Sequence, residues 1–98
     1  MATTTSQKRD AFSATIHGRV QGVGFRYYTR SMAHRLNVKG YVQNLPDGSV
    51  RVECEGQPAA VQKMADWLRK GPSSANVTDV DLRWKPERSG YATFTVEA

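Results

Sequence analysis

"FSATIHGRVQGVGFRYYTRSMAHRL", residues 12–36, changes its apolar period once, and that change sets the fold. In residues 12–20 the even positions Phe12, Ala14, Ile16 and Val20 are apolar, with Gly18 between them. The odd positions Ser13, Thr15, His17 and Arg19 are polar. Such alternation marks a strand with one buried face. From Phe25 to Leu36 the period lengthens, and Phe25, Tyr28, Met32, Ala33 and Leu36 fall on one side of a helix. Gly18, Gly22 and Gly24 mark the passage from the one to the other. Glycine is costly in backbone entropy when a chain folds, so three so close together imply a loop whose shape matters.

The same reading extends down the chain. "VKGYVQNL" (38–45), with Tyr41 and Val42, reads as a second strand, and "LPDGS" (45–49) as a turn. In that turn Pro46 presets φ, Asp47 bonds its own backbone and Gly48 tolerates a positive φ. "SVRVECEG" (49–56) alternates again, with Val50, Val52 and Cys54 inward and Arg51, Glu53 and Glu55 outward. "PAAVQKMADWLRK" (58–70) is a second helix with Val61, Met64, Ala65 and Leu68 on one face. Pro58 suits its first turn and Gly71-Pro72 stops it. "VTDVDLRW" (77–84) sets Val80, Leu82 and Trp84 against Asp79, Asp81 and Arg83, and "YATFTVEA" (91–98) reads as a short edge strand. One wet face per strand favours an antiparallel-dominated sheet with both helices on the other face. The order β-α-β-β-α-β, plus a C-terminal edge strand, is the split βαβ, ferredoxin-like α+β sandwich. That fold hosts many functions, so the function must be read from a site.

Composition narrows the classes. With 98 residues, one domain is expected, comprising residues 11–98, behind a polar, threonine-rich N-terminal tail at 1–10 expected to be disordered. The single cysteine, Cys54, excludes a disulfide framework and a multi-cysteine zinc site, and reads as a small buried hydrophobe. "MATTTSQKRD" has no apolar core of a secretory signal, and no run is long enough to span a membrane, so the expected location is cytoplasmic. A net charge of +5 favours an anionic partner without choosing one.

The glycine loop supplies a choice. In "GRVQGVGFR" (18–26) the glycines let successive backbone N–H groups turn inward at a helix N-terminus, the form of an anion cradle; the alternative for the loop by itself is a tight strand-to-helix connection with incidental glycines. Arg26, in the first helical turn, brings a fork that clamps two oxygens of one anion. No Gly-Lys-Ser/Thr follows, and position 27 is Tyr27, so neither a P-loop nor a dinucleotide fingerprint is present.

Together with "KGYVQNLPDGSV" (39–50), the loop resembles the acylphosphatase family, with its Gly-x-Val-Gln-Gly-Val-x-Phe-Arg loop and Gly-aromatic-Val-x-Asn strand. "WLRKGPSSANVTDVDL" and "YATFTVEA" are similar to that family's later segments, so the resemblance runs from about Phe12 to the C-terminus. One departure is Tyr41, where many members carry Trp. The resemblance implies hydrolysis of an acyl phosphate to carboxylate and inorganic phosphate, without metal, cofactor or phosphoenzyme. It implies that Arg26 binds phosphate, that the amides of Gln21, Gly22, Val23, Gly24 and Phe25 form the cradle, and that Asn44 positions the attacking water. An acyl phosphate has a good carboxylate leaving group, so positioning and charge compensation suffice, and an amide at position 44 does not repel the anion as a carboxylate would.

Other candidates read as structural. Arg30 and Arg35 are expected to be solvated helix residues, Asp79 and Asp81 a solvated face, and Trp67 and Trp84 packing residues. His17 and His34 have no carboxylate at ligand spacing. A basic ferredoxin-like domain also suggests an RNA-binding module, but such modules stack bases on strand aromatics. Here the outward residues of the first and third strands include no aromatic, and Glu53 and Glu55 stand where a phosphate backbone would pass. A regulatory domain fused to a larger protein is a third reading, for which this chain offers no second domain. The expected partners are a small acyl phosphate and inorganic phosphate in the loop, with no nucleic acid and no membrane, and the expected state is a monomer.

Overall fold

The computed structural model describes residues 9–98. Its elements are β1 (Ala11–Arg19), α1 (Phe25–Leu36), β2 (Lys39–Asn44), β3 (Val50–Glu55), α2 (Pro58–Lys70), β4 (Asn76–Trp84) and β5 (Phe94–Glu97). The expected tail lies outside the described residues except for Arg9 and Asp10. Arg9 stands over the Trp84 ring at 5.2 Å, and Asp10 pairs with Arg88 at 3.1 Å.

The five strands form one sheet in the order β4-β1-β3-β2-β5. β1 pairs antiparallel with β3 and β4, β2 pairs antiparallel with β3, and β5 adds parallel to β2. α1 packs on β2 and β5, α2 on β1 and β4, and the helices touch each other, so both cover one face. This is the ferredoxin-like α+β sandwich, with a mixed but mostly antiparallel sheet and β5 at its edge.

The alternating residues fill the core as expected: Phe12, Ala14, Ile16, Val50, Val52 and Cys54 from the strands, and Val61, Met64, Ala65 and Leu68 from α2, are all buried. Burial pushes the Cys54 thiol up to about 12, as fits an inert core residue. Trp84 meets Phe12 edge to face at 5.6 Å, and Trp67 lies against Phe25 at 6.0 Å, so both tryptophans are packing residues. α2 opens with Pro58 and closes at Gly71, whose N–H donates to Trp67 O at 2.7 Å.

Three details differ from the sequence reading. Tyr28, expected on the core side of α1, is 53% exposed; the buried position is Thr29. Thr29 tolerates burial because its hydroxyl donates to Phe25 O at 2.7 Å. Gly18 belongs to β1, not to the loop. The β1–β4 register shifts between His17 and Gly18, and Gly18, at φ 121°, lies so close to Asn76 that a Cβ would stand 2.1 Å from its carbonyl oxygen. Finally, Glu53 and Glu55 are on the outward face but are 4% exposed, because the segment after β4 folds back over them. Asp79 and Asp81 on the edge strand β4 remain exposed, as expected.

Candidate active site

The loop from Val20 to Gly24 joins the end of β1 to the start of α1. Its ends are fixed from below: Val20 is buried and Val23 packs against the core. Val23 O also accepts from Ser74 Oγ at 2.8 Å. Between these anchors Gly22 and Gly24 take left-handed backbone, φ 73° and 78°, which glycine adopts at little cost. Gly24 is the N-cap of α1. No side chain caps the helix there, and its first turn carries no acidic residue. The N–H groups of that turn therefore have no side-chain partner from the cap, and the helix dipole adds positive potential.

Opposite the loop is the end of β2. Asn44 closes that strand, paired with Val50 across the hairpin. Val20, Gly22, Gly24, Phe25, Arg26, Tyr27 and Asn44 line one pocket of about 130 Å³. That is roughly the liquid volume of four waters, a size suited to one phosphoryl group. Within it, Asn44 Oδ1 is buried and has no hydrogen-bond partner among the described residues. A buried acceptor left unpaired is costly, so its place beside an arginine is a functional signal.

Arg26 is half-buried, and its Nη1 donates to Glu97 O at 2.8 Å. The parallel pairing of β5 with β2 brings that carbonyl near Asn44, because Gln43 and Glu97 are register partners. Tyr27 stands at the pocket with the Arg26 guanidinium 6.0 Å and the Arg30 guanidinium 5.7 Å from its ring centre.

Of the residues singled out in the sequence, the pocket thus brings together Arg26, Asn44, Gly22, Gly24 and Phe25. Gln21 and Val23 belong to the same loop, but their side chains leave it. Gln21 Nε2 donates to Leu45 O at 2.7 Å and to Ser49 O at 2.9 Å. Those carbonyls also accept from Gly48 N and Leu45 N within the β2–β3 turn. Asp47 stiffens the same turn by accepting from Ser49 N and Ser49 Oγ, bonds that hold its carboxyl below the ordinary range. Gln21 is therefore a strut between the loop and the turn that follows Asn44. The sequence reading valued only its amide. Nothing local foretells its partners, which lie 24 and 28 residues away.

Larger hollows lie elsewhere, but their chemistry is weaker. The open face of the sheet holds one of about 300 Å³ beside Ser13, Thr15, Arg51 and Lys85. Its cations are already paired, Arg51 and Lys85 with Glu53 and Arg83 with Asp81. His17 and His34 stand outside the pocket described above. Among the described residues no three His, Cys, Asp or Glu side chains gather as a metal site would require, and no helix is long and apolar enough to cross a membrane.

Comparison with known proteins bears on the family and the fold. The acylphosphatase family model matches residues 12–96. The chain is 45% identical over 93 residues to an acylphosphatase of Salinibacter ruber, covering 95% of this chain and 96% of that one. It superposes on the crystal structure of acylphosphatase from Bacillus subtilis with a TM-score of 0.86 at 31% identity, covering 90% of this chain and 98% of the other. An acylphosphatase structure from Coxiella burnetii gives 0.84 at 32% identity, covering 90% and 92%.

Proposed function

From the premise that the chain belongs to the acylphosphatase family, and so hydrolyses the carboxyl–phosphate bond, we propose how its own residues divide the work. The phosphoryl group enters the 130 Å³ pocket between the loop and Asn44. Loop amides from Gln21 to Phe25 and the Arg26 fork take the phosphoryl oxygens, where charge is held through the transition state. Asn44 Oδ1 accepts a hydrogen bond from the attacking water and aims it at phosphorus. Water forms the new P–O bond as the bond to the carboxylate breaks. A phosphate oxygen receives the water's proton, so no protein base is required. Products are the carboxylate and inorganic phosphate. The observation that carries this reading is the buried, unpartnered Asn44 Oδ1 sharing a pocket with Arg26.

The same reading makes the chain a cytoplasmic monomer that needs no metal. It predicts unchanged turnover of an acyl phosphate in chelator and no turnover of a phosphate monoester. Activity that disappears in chelator and returns with a divalent cation overturns the metal-independent mechanism. The roles of Arg26 and Asn44 separate in Asn44→Ala. Phosphate should still bind and raise the melting temperature, as any ligand of the folded state does. Turnover should collapse, because the lost contact acts on the way to the transition state. Near-normal kcat would remove Asn44 from the mechanism. Loss of the phosphate-induced shift together with activity would make it part of the cradle.

A further inference from the structure

The first two turns of α1 break a rule of helix design. Cations near a helix N-terminus oppose the macrodipole, and like charges four residues apart repel. Yet α1 begins with Arg26 and Arg30, four residues apart, and has no acid in its first turn. Arg30 is exposed and has no carboxylate within ion-pair distance among the described residues. It is nevertheless held, since its guanidinium stacks on the Tyr27 ring 5.7 Å away. That ring lines the phosphate pocket and also carries the Arg26 guanidinium. The two cationic heads flank one phenol and stand no more than about 12 Å apart, with the cation–π contact fixing the outer one. Local rules broken without a structural gain mark a functional surface.

We propose that Arg30, held by Tyr27, is a specificity residue that binds a second anionic group on the acyl half of the substrate. This rests on the reading that the pocket beside Arg26 takes the phosphoryl group. With the phosphoryl group there, the acyl chain leaves past Tyr27, and a carboxylate or phosphate at its far end meets Arg30. Tyr27 is 59% exposed, yet two guanidiniums stand over its ring, so it serves as a holder for a cation more than as an apolar platform.

The test compares 3-carboxypropanoyl phosphate with butanoyl phosphate, which has the same chain length and no carboxylate, and with benzoyl phosphate. In Arg30→Gln, KM for the carboxylated substrate should rise about three- to tenfold, the scale of an exposed charge-assisted contact, with kcat unchanged. KM for butanoyl phosphate should move less than about twofold. Arg30→Lys should keep part of the preference, and Tyr27→Leu should lose part of it by releasing Arg30. Added salt should shrink the wild-type preference. An equal rise for both aliphatic substrates, or none, overturns the proposal. So does a Tyr27→Leu variant that loses only benzoyl phosphate, which would make the ring an aryl platform. If the wild-type protein hydrolyses none of the three, the hydrolase reading itself falls. If it hydrolyses them and the ratio is indifferent to Arg30, only this inference does.

Discussion

Arg26 is the residue on which the site's electrostatics turn. It is half-buried, sits at the N-terminus of α1 and is aimed by its bond to Glu97 O on the far strand β5. Removing it takes away the one permanent charge that lines the pocket among the described residues and leaves the loop amides in place. Arg26→Ala should therefore weaken inorganic phosphate binding by about 1.5–3 kcal/mol, roughly ten- to a hundredfold in the dissociation constant. Arg26→Lys should recover only part, since an ammonium lacks the fork. Calorimetric titration with phosphate checks both, and an Arg26→Ala protein with unchanged affinity would return Arg26 to the solvated helix surface. That Arg26 and Asn44 share a pocket was foreshadowed in the sequence because their spacing repeats a family pattern. What aims them was not. The carbonyl that receives Arg26 is 71 residues away, and the carbonyls that receive Gln21 belong to a separate hairpin. No local period encodes such partners.

From the end of β1 to the start of α1, three glycines that look alike in sequence do different work. Gly22 and Gly24 shape the loop. A Cβ on Gly22 would meet nothing within 4 Å, so only its φ of 73° resists substitution. Gly18 is a strand residue at a bulge, where a Cβ would stand 2.1 Å from Asn76 O and 2.8 Å from Thr78 N. Gly22→Ala should cost about 1–2 kcal/mol of stability, the penalty for left-handed backbone. Gly18→Ala should cost more, about 3 kcal/mol or beyond, because strained backbone adds to overlap that only separation of β1 from β4 relieves. Urea unfolding of the two variants makes the comparison, and equal costs would show that the bulge adjusts freely. The sequence showed that glycine was needed here, but not why at each position. The atoms that exclude a side chain at Gly18 come from a strand 58 residues on. Likewise the helical period sets Tyr28 inward with Phe25, Met32 and Leu36, although the 25-29-33 row faces the core and Thr29 fills it by bonding backwards.

Across the whole molecule, apolar pattern together with the turn and cap residues was enough to place seven elements, since each packs one face against the same core. The segment from Lys85 to Tyr91 has no such period, and two carboxylates organise it. Glu55 accepts from Ser89 N, Gly90 N and Tyr91 N at 2.7 to 2.9 Å. Glu53 accepts from Ser13 Oγ, from Arg51 at 2.9 Å and from Lys85 at 3.1 Å. These bonds cover the part of the outward sheet face where Glu53 and Glu55 stand, which alternation could not reveal. They also link folding to pH. Burial pushes the Glu53 carboxyl up, but the donors from Ser13, Arg51 and Lys85 outweigh it, and the net pKa lies below the ordinary 4.5. The unfolded chain therefore binds the proton more readily than the folded one. The stability Glu53 contributes is fully present above pH 4.5 and drains away as pH falls through the lower folded-state value. Glu53→Gln, which keeps the shape without the charge, should melt below the wild type at neutral pH. The gap should close as both proteins are taken below pH 4.5. Melting curves across that range decide it: a gap of constant size would mean that Glu53 holds the Lys85–Tyr91 segment by shape and hydrogen bonding alone, with its charge contributing nothing.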